Sequence, residues 1–313
     1  MIRPILLFPG QGSQCAGMGR ELAEADADAM DLWKQAEHIS RLPLREIFWE
    51  GDEAAMSDTR ALQPALTVVN CTLFASVQSR ISPMGCAGHS LGEFSALACA
   101  HVLEMRDVLE LTALRGELMA DCDSEHKGSM AAVVKLERAT VEEIVQEAAR
   151  ESGELLLCAN FNAPLQTVIS GANKAVQLAC TKVKARKGRA LPLKVSGAFH
   201  SPMMAEANAE FTPRLSRLTW KNARFPVYGN VDGKAEVDGE RLREKMLVQM
   251  VSPVRFVDAV LAQYEDGART WLELGPKSLL NKMVSSSLNS SDEDPLRFFA
   301  VTDLASASSF QAE

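Results

Sequence analysis

The stretch "AGHSLGEFSAL", Ala87 to Leu97, constrains the fold more than any other part of the sequence. Gly88-His89-Ser90-Leu91-Gly92 is a G-x-S-x-G pentapeptide, and Leu91, Phe94, Leu97 and Ala98 continue it at helical spacing. Glycines on both sides of a serine allow a turn from strand to helix that side chains at those positions would block. The pattern therefore predicts an elbow at Ser90 with a helix running on behind it. Glu93, three residues after Ser90, has the spacing of a capping box. Ser90 is then expected at a helix N-terminus, where free N–H groups and the helix dipole favour the negative charge of a tetrahedral oxyanion. A plain N-cap serine fits the same pentapeptide, so the rest of the chain has to separate the two readings.

The N-terminal "ILLFPGQGSQ" sets an apolar run, Ile5 to Phe8, before a glycine-rich loop and reads as a buried strand. Cys15 stands where a dinucleotide-binding G-x-G-x-x-G needs its last glycine, and no G-K-[ST] occurs. Such a loop still offers backbone N–H groups for the second half of an oxyanion hole. Up to about residue 125, short apolar runs alternate with helical patterns, as in a parallel sheet covered by helices. The middle differs. "SMAAVVKL" reads as a strand, Thr140 to Arg150 as a helix, "LLLCANF" and "QTVIS" as strands, Ala172 to Lys187 as a helix and "ALPLKVS" as a strand. That β-α-β-β-α-β order is the ferredoxin-like pattern. It predicts a small subdomain at 128–194 inserted into a larger one made of 1–127 and 195–313. The chain returns at "SGAFHSPMM", where the two meet, a favoured place for a ligand cleft. Near the C-terminus "SSSLNSSDEDP" reads as a polar loop before a last strand, "LRFFAV".

A formal net charge of -8 argues against affinity for nucleic acid or an anionic membrane. The apolar run at the N-terminus is too short for a signal peptide or a membrane span. The 7 cysteines (15, 71, 86, 99, 122, 158 and 180) are scattered and include no C-x-x-C pair, so neither a disulfide framework nor a zinc site is expected and a reduced cytoplasm fits best.

A nucleophilic serine requires a base, and the histidines are 38, 89, 101, 126 and 200. His38 and His126 lie in polar surroundings typical of solvated imidazoles, and His101 follows an apolar helix as a C-terminal cap would. His89 adjoins Ser90 and at an elbow points away from it. His200, in "GAFHSP", suits a catalytic base and a satisfied boundary histidine equally. Arg115 falls in the helical stripe of Val108, Leu111, Thr112, Leu118, Met119 and Cys122, on an inward face. A buried guanidinium must meet either a structural carboxylate or a ligand anion. Lys182, Lys184, Arg186, Lys187 and Arg189 crowd the end of the second helix of the insert, as a solvated helix end or a docking patch for an acidic partner.

Taken together, "FPGQGSQ" at 8–14, "LQPAL" at 62–66, "GHSLGE" at 88–93, Arg115, "GAFHS" at 197–201, "GNVDG" at 229–233, "QMVSPVRF" at 249–256 and "ELGP" at 273–276 closely resemble the malonyl-CoA:acyl carrier protein transacylases. These are the stand-alone acyltransferases of fatty-acid and polyketide synthesis. The resemblance implies an α/β fold, an α/β-hydrolase-like large subdomain with an inserted ferredoxin-like small one. It implies Ser90 as nucleophile and His200 as base, oriented by the main-chain carbonyl of Gln249, with the N–H groups of Gln11 and Leu91 as oxyanion hole. Arg115 would bind the malonyl carboxylate, with Gln63, Met119, Asn160 and Phe199 in the substrate pocket. The "AFH" form at Phe199 is associated with malonyl rather than branched substrates. The implied partners are malonyl-CoA and an acyl carrier protein, with neither nucleic acid nor membrane, and no cofactor or metal is implied, coenzyme A thioester being a substrate. The competing readings are a serine hydrolase on the same elbow, a non-catalytic scaffold, and a related acyltransferase or acyl hydrolase acting on other carrier-bound chains.

Overall fold

The computed structural model describes residues 2–122, 127–195 and 197–311; His126 lies outside them. β1 (Ile5–Phe8) is followed by α1 (Arg20–Ala25), α2 (Ala27–Ser40), α3 (Leu44–Trp49) and α4 (Thr59–Val77), then β2 (Gly85–Gly88), α5 (Gly92–Cys99) and α6 (Met105–Asp121). The middle segment gives β3 (Gly128–Val134), α7 (Arg138–Ser152), β4 (Leu156–Ala163), β5 (Gln166–Ala172), α8 (Asn173–Ala185) and β6 (Arg189–Pro192). The rest comprises α9 (Ala205–Arg217), β7 (Val227–Tyr228), β8 (Ala235–Glu236), α10 (Gly239–Gln249), α11 (Phe256–Glu265), β9 (Thr270–Leu274), α12 (Leu280–Ser287), β10 (Arg297–Val301) and α13 (Leu304–Ser309).

Among the described residues these strands form two sheets. The larger has the order β10-β9-β1-β2-β7-β8, parallel except for the antiparallel edge strand β8. The chain before residue 125 supplies only β1 and β2 of it, and the strands from β7 onward are added after the smaller sheet. All four residues of β1 and of β2 are buried, as the centre of a sheet with helices on both faces requires. β2 reads Gly-Cys-Ala-Gly, with no β-branched residue, because its neighbours leave no room. A Cβ on Gly88 would lie 1.9 Å from the carbonyl carbon of Gly92 at the start of α5.

The smaller sheet, β4-β5-β3-β6, is antiparallel throughout and carries α7 and α8, in the ferredoxin-like order. β6 stops at Pro192, shorter than the run "ALPLKVS" suggests, since Leu193 and Val195 turn to line the cleft and Ser196 lies outside the described residues. Ile144, Ala148, Ile169, Ala175, Ala179 and Val183 form a core of its own between the sheet and its helices. Near the cleft β4 is joined to the loop between α10 and α11 by backbone bonds, Val254 N–H to Ala159 O at 2.8 Å and Phe161 N–H to Val254 O at 2.8 Å. The loop after α10 is thereby fixed against β4.

Candidate active site

Ser90 occupies the turn between β2 and α5 with φ 52, a left-handed conformation that costs a non-glycine residue roughly 1–2 kcal/mol. Three bonds around it hold the turn. Its N–H donates to Asn230 Oδ1 at 2.8 Å, Asn230 Nδ2 donates to Gly88 O at 2.6 Å, and Gln249 Nε2 donates to Ser90 O at 2.9 Å. The expected capping box is absent. α5 begins at Gly92 with no side-chain cap, and Glu93 is buried with its oxygens accepting from Asn230 N–H and Gln249 Nε2, each at 2.9 Å. The Ser90 hydroxyl is turned the other way, toward the cleft.

There Ser90 Oγ lies 2.7 Å from His200 Nε2. His200 is 3% exposed and also has positive φ, 56, in the segment that leads from the small sheet into α9. Its Nδ1–H donates to two carbonyls, Gln249 O at 3.2 Å and Ser252 O at 3.1 Å, which fixes the tautomer and leaves Nε2 free to accept the serine proton. Burial, with Arg115 and His89 adding to it, lowers the His200 pKa to about 3, against a smaller opposing effect of the two carbonyls. The imidazole is therefore neutral, the form a general base requires.

Arg115, on α6, is 1% exposed and touches no carboxylate among the described residues. Nη1 donates to Gln63 Oε1 at 2.9 Å; Nη2 donates to Gln249 Oε1 and to Ser90 Oγ, both at 3.3 Å. The guanidinium sits 5.6 Å above the Phe94 ring, and its buried Nε has no partner among the described residues. Burial lowers its pKa to about 10, partly offset by Glu93. A cation held by neutral amide oxygens keeps most of its attraction for an incoming anion.

These groups surround a cavity of about 210 Å³ whose lining includes every candidate residue except Gln249: Gln11, Gln63, Ser90, Leu91, Arg115, Met119, Asn160, Phe199 and His200. Gln249 stands behind it, with its carbonyl on His200 and its side chain on Arg115. The glycine loop closes one wall. A Cβ at Gly10 would lie 2.5 Å from His89 O and 3.5 Å from Leu91 N, so this loop and the elbow are in direct contact. Among the described residues neither the Gln11 nor the Leu91 N–H donates to a protein acceptor. His89 lines the same cavity, but its ring bonds Asn162 Oδ1 at 2.8 Å and packs 5.6 Å from Phe256, away from the dyad. His101 ends α5 in a left-handed conformation, donating its N–H to Ala98 O, outside this cavity.

Asn230, the Ser252 carbonyl and the role of Glu93 are not evident in the sequence. Asn230 and Ser252 lie inside "GNVDG" and "QMVSPVRF"; Asn230 is buried and Ser252 half-buried, and the signal that marks them is a polar residue in a glycine- or proline-bounded loop. Among the described residues no group of three or more His, Cys, Asp or Glu is placed to hold a metal ion, and no helix is long and apolar enough to cross a membrane.

Residues 5–307 match the acyl transferase domain family. The chain is 36% identical over 286 residues to the malonyl CoA-acyl carrier protein transacylase of Bacillus subtilis, covering 91% of this chain and 90% of that one. To its Staphylococcus aureus counterpart it is 32% identical over 285 residues, covering 91% and 92%. The solved transacylase of Coxiella burnetii superposes with a TM-score of 0.90 at 29% identity, over 98% of this chain and 96% of that one. A malonyl-transacylase in complex with its type II PKS acyl-carrier protein superposes with a TM-score of 0.90 at 33% identity, over 97% of each chain.

Proposed function

The chain belongs to the malonyl-CoA:acyl carrier protein transacylases of the acyl transferase domain family, and from that premise we propose that its Ser90 passes a malonyl group from coenzyme A to the phosphopantetheine thiol of an acyl carrier protein. The observation that carries the assignment of residues is the guanidinium of Arg115, buried 3.3 Å from the Ser90 hydroxyl with no carboxylate on it among the described residues.

The reaction is two acyl transfers in succession. In the first, His200 Nε2 accepts the hydroxyl proton as Ser90 Oγ attacks the thioester carbonyl. The oxyanion meets the Gln11 and Leu91 N–H groups at the positive end of α5. As the intermediate collapses, the C–S bond breaks and the coenzyme A sulfur leaves with the proton from His200. In the second, the carrier thiol gives its proton to His200 and attacks the malonyl-serine ester; Ser90 Oγ leaves and recovers the proton. Because the Nδ1 partners are two neutral carbonyls, no carboxylate has to share the imidazolium charge. Met119, Phe199 and Asn160 confine the acyl group, and Arg115 seats its carboxylate, so that the ester is held away from water between the two steps. No step requires a metal or a cofactor. The product serves fatty-acid or polyketide synthesis, and we place the reaction in the cytoplasm.

Intact-protein mass spectrometry with labelled malonyl-, methylmalonyl- and acetyl-CoA, with and without carrier protein, tests the reading. Wild type should carry a malonyl adduct that the carrier protein removes, and Ser90→Ala none. A malonyl adduct on Ser90→Ala would sink the assignment, and label released as free malonate faster than it reaches the carrier would make the chain a hydrolase.

A further inference from the structure

The buried carboxylate of Glu93 has no place in these two steps, yet it lies one residue removed from each group that performs them. Glu93 Oε1 accepts from Asn230 N–H at 2.9 Å, and Asn230 in turn accepts from Ser90 N–H at 2.8 Å. Glu93 Oε2 accepts from Gln249 Nε2 at 2.9 Å, whose amide nitrogen also donates to Ser90 O at 2.9 Å. With both hydrogens of that nitrogen engaged, the oxygen of the Gln249 amide is the end that faces Arg115 Nη2, at 3.3 Å.

We propose that Glu93 is a positioning residue for malonyl selection: its ionised carboxylate fixes which end of the Gln249 amide faces Arg115, and so holds the guanidinium aimed at the substrate carboxylate. The inference rests on Arg115 being the malonyl-binding group.

Both partners of Glu93 are donors, and one of them, the Asn230 N–H, is main chain and cannot reverse. Only a group with two acceptor oxygens satisfies both. A glutamine at position 93 would turn its oxygen to Asn230 and its NH₂ to Gln249. The Gln249 amide would then rotate, lose Ser90 O and present its own NH₂ to the guanidinium, donor against donor. Protonating Glu93 acts in the same direction, since the hydroxyl oxygen is a weaker acceptor and its added hydrogen meets N–H donors at both partners. The charges that face Glu93 are Arg115 from α6 and Lys245 from α10, the latter shared with Asp232 at 3.1 Å, with the Cys86 thiol behind it on β2. Burial pushes the Glu93 carboxyl up to about 7 against these and its two N–H donors, so the switch falls within an accessible pH range. His200, held near 3, and Arg115, near 10, do not titrate there.

The test compares kcat/KM for malonyl-CoA and acetyl-CoA in wild type, Glu93→Gln and Arg115→Ala, from about pH 6 to about pH 8. In wild type the malonyl-to-acetyl ratio should fall as pH is lowered through about 7. In Glu93→Gln the ratio should be roughly 10- to 100-fold below wild type at the upper end, the scale of a lost hydrogen bond to a charged group, and flat with pH. Equal losses for both substrates in Glu93→Gln would make Glu93 a fold-holding residue and overturn the proposal. If that variant does not fold, the wild-type profile decides alone, and a pH-independent ratio overturns it. Arg115→Ala separates the two claims. Equal losses there refute the malonyl-binding role of Arg115 together with this inference, whereas a selective loss there beside an unselective one in Glu93→Gln refutes only the role of Glu93.

Discussion

Arg115 Nη2 donates to Ser90 Oγ at 3.3 Å, so the cation that the sequence places on an inward helical stripe ends beside the nucleophile. An acyl group esterified to Ser90 has its distal carboxylate only a few bonds from that oxygen, within the fork of the guanidinium. Arg115→Ala should therefore weaken malonyl transfer by roughly 2–4 kcal/mol in kcat/KM, the scale of a lost charge-assisted pair. Acetyl transfer, which offers no carboxylate, should change little or improve. Steady-state kinetics with both donors decides, and parallel losses would reduce Arg115 to a structural role.

His200 is held neutral by burial, and this has a kinetic and a thermodynamic consequence. His200→Ala should slow acylation by roughly 10²–10⁴-fold, the usual worth of a general base. With acetyl-CoA as donor, wild-type acylation should show no loss of base near the ordinary imidazole value, because the folded-state pKa is lowered to about 3. For stability the sign follows from the same shift. The folded protein resists a proton that the unfolded chain accepts below about 6.5, so the contribution is present above that pH and is lost as pH falls toward 3. Urea titrations of wild type and His200→Gln at several pH values should converge as pH is lowered, and a constant gap between them would contradict the shift.

What the sequence disclosed and what it concealed divide along physical lines. Ser90, Arg115 and the β-α-β-β-α-β order from Gly128 to Pro192 were legible because each is a local pattern, a glycine spacing or a hydrophobic period, that the fold obeys. Glu93 was misread for a related reason. Its position three residues after Ser90 satisfies the local capping rule, but Asn230 and Gln249, 137 and 156 residues away, compete for the carboxylate and win. Pairing across such distances leaves no periodic trace. β2 was obscure because tight packing selects Gly-Cys-Ala-Gly over the β-branched residues that announce a strand. β7 and β8, two residues each, are too short to have any period.

Asn230 is the clamp on the strained elbow, and its two bonds run in opposite senses, accepting from Ser90 N–H and donating to Gly88 O. Asn230→Ala should cost roughly 1–3 kcal/mol of stability and slow acylation, since the left-handed turn at Ser90 loses its support. Asn230→Asp should be worse at neutral pH, because an acceptor oxygen would then face Gly88 O with the Glu93 carboxylate close by. The deficit should shrink as pH falls and the new carboxyl gains a proton to donate. Denaturation curves of the three proteins at two pH values give the comparison, and an Asn230→Asp variant as stable as wild type would rule out the clamp.

The acidic balance of the chain, net charge -8, is a handicap if the carrier protein is acidic too, unless a local cationic surface offsets it. The cluster at the end of α8 is smaller than its sequence suggests. Lys182 is paired to Glu151 at 2.6 Å and Glu147 at 3.6 Å, and Arg186 to Glu147 at 3.0 Å and Glu143 at 3.3 Å, so two of the cations are spent on tying α8 to α7. Lys184, Lys187 and Arg189 are exposed, with no ion-pair partner among the described residues. Arg189 opens β6, and the same strand leads to Leu193 at the cleft, about 13 Å further on at the usual rise per residue. Any steering of a carrier protein by the end of α8 would therefore fall to these three residues. Lys184→Glu with Lys187→Glu should raise the KM for carrier protein, more at low salt than at high, since exposed charges act through a screened field. Formation of malonyl-Ser90 from malonyl-CoA should be unchanged, which separates docking from chemistry. Lys182→Glu, by contrast, should mainly lower stability, because it sets like charges against Glu147 and Glu151. A KM that stays constant at low ionic strength would make the α8 end an ordinary solvated helix terminus and move the docking surface elsewhere on the rim of the cleft.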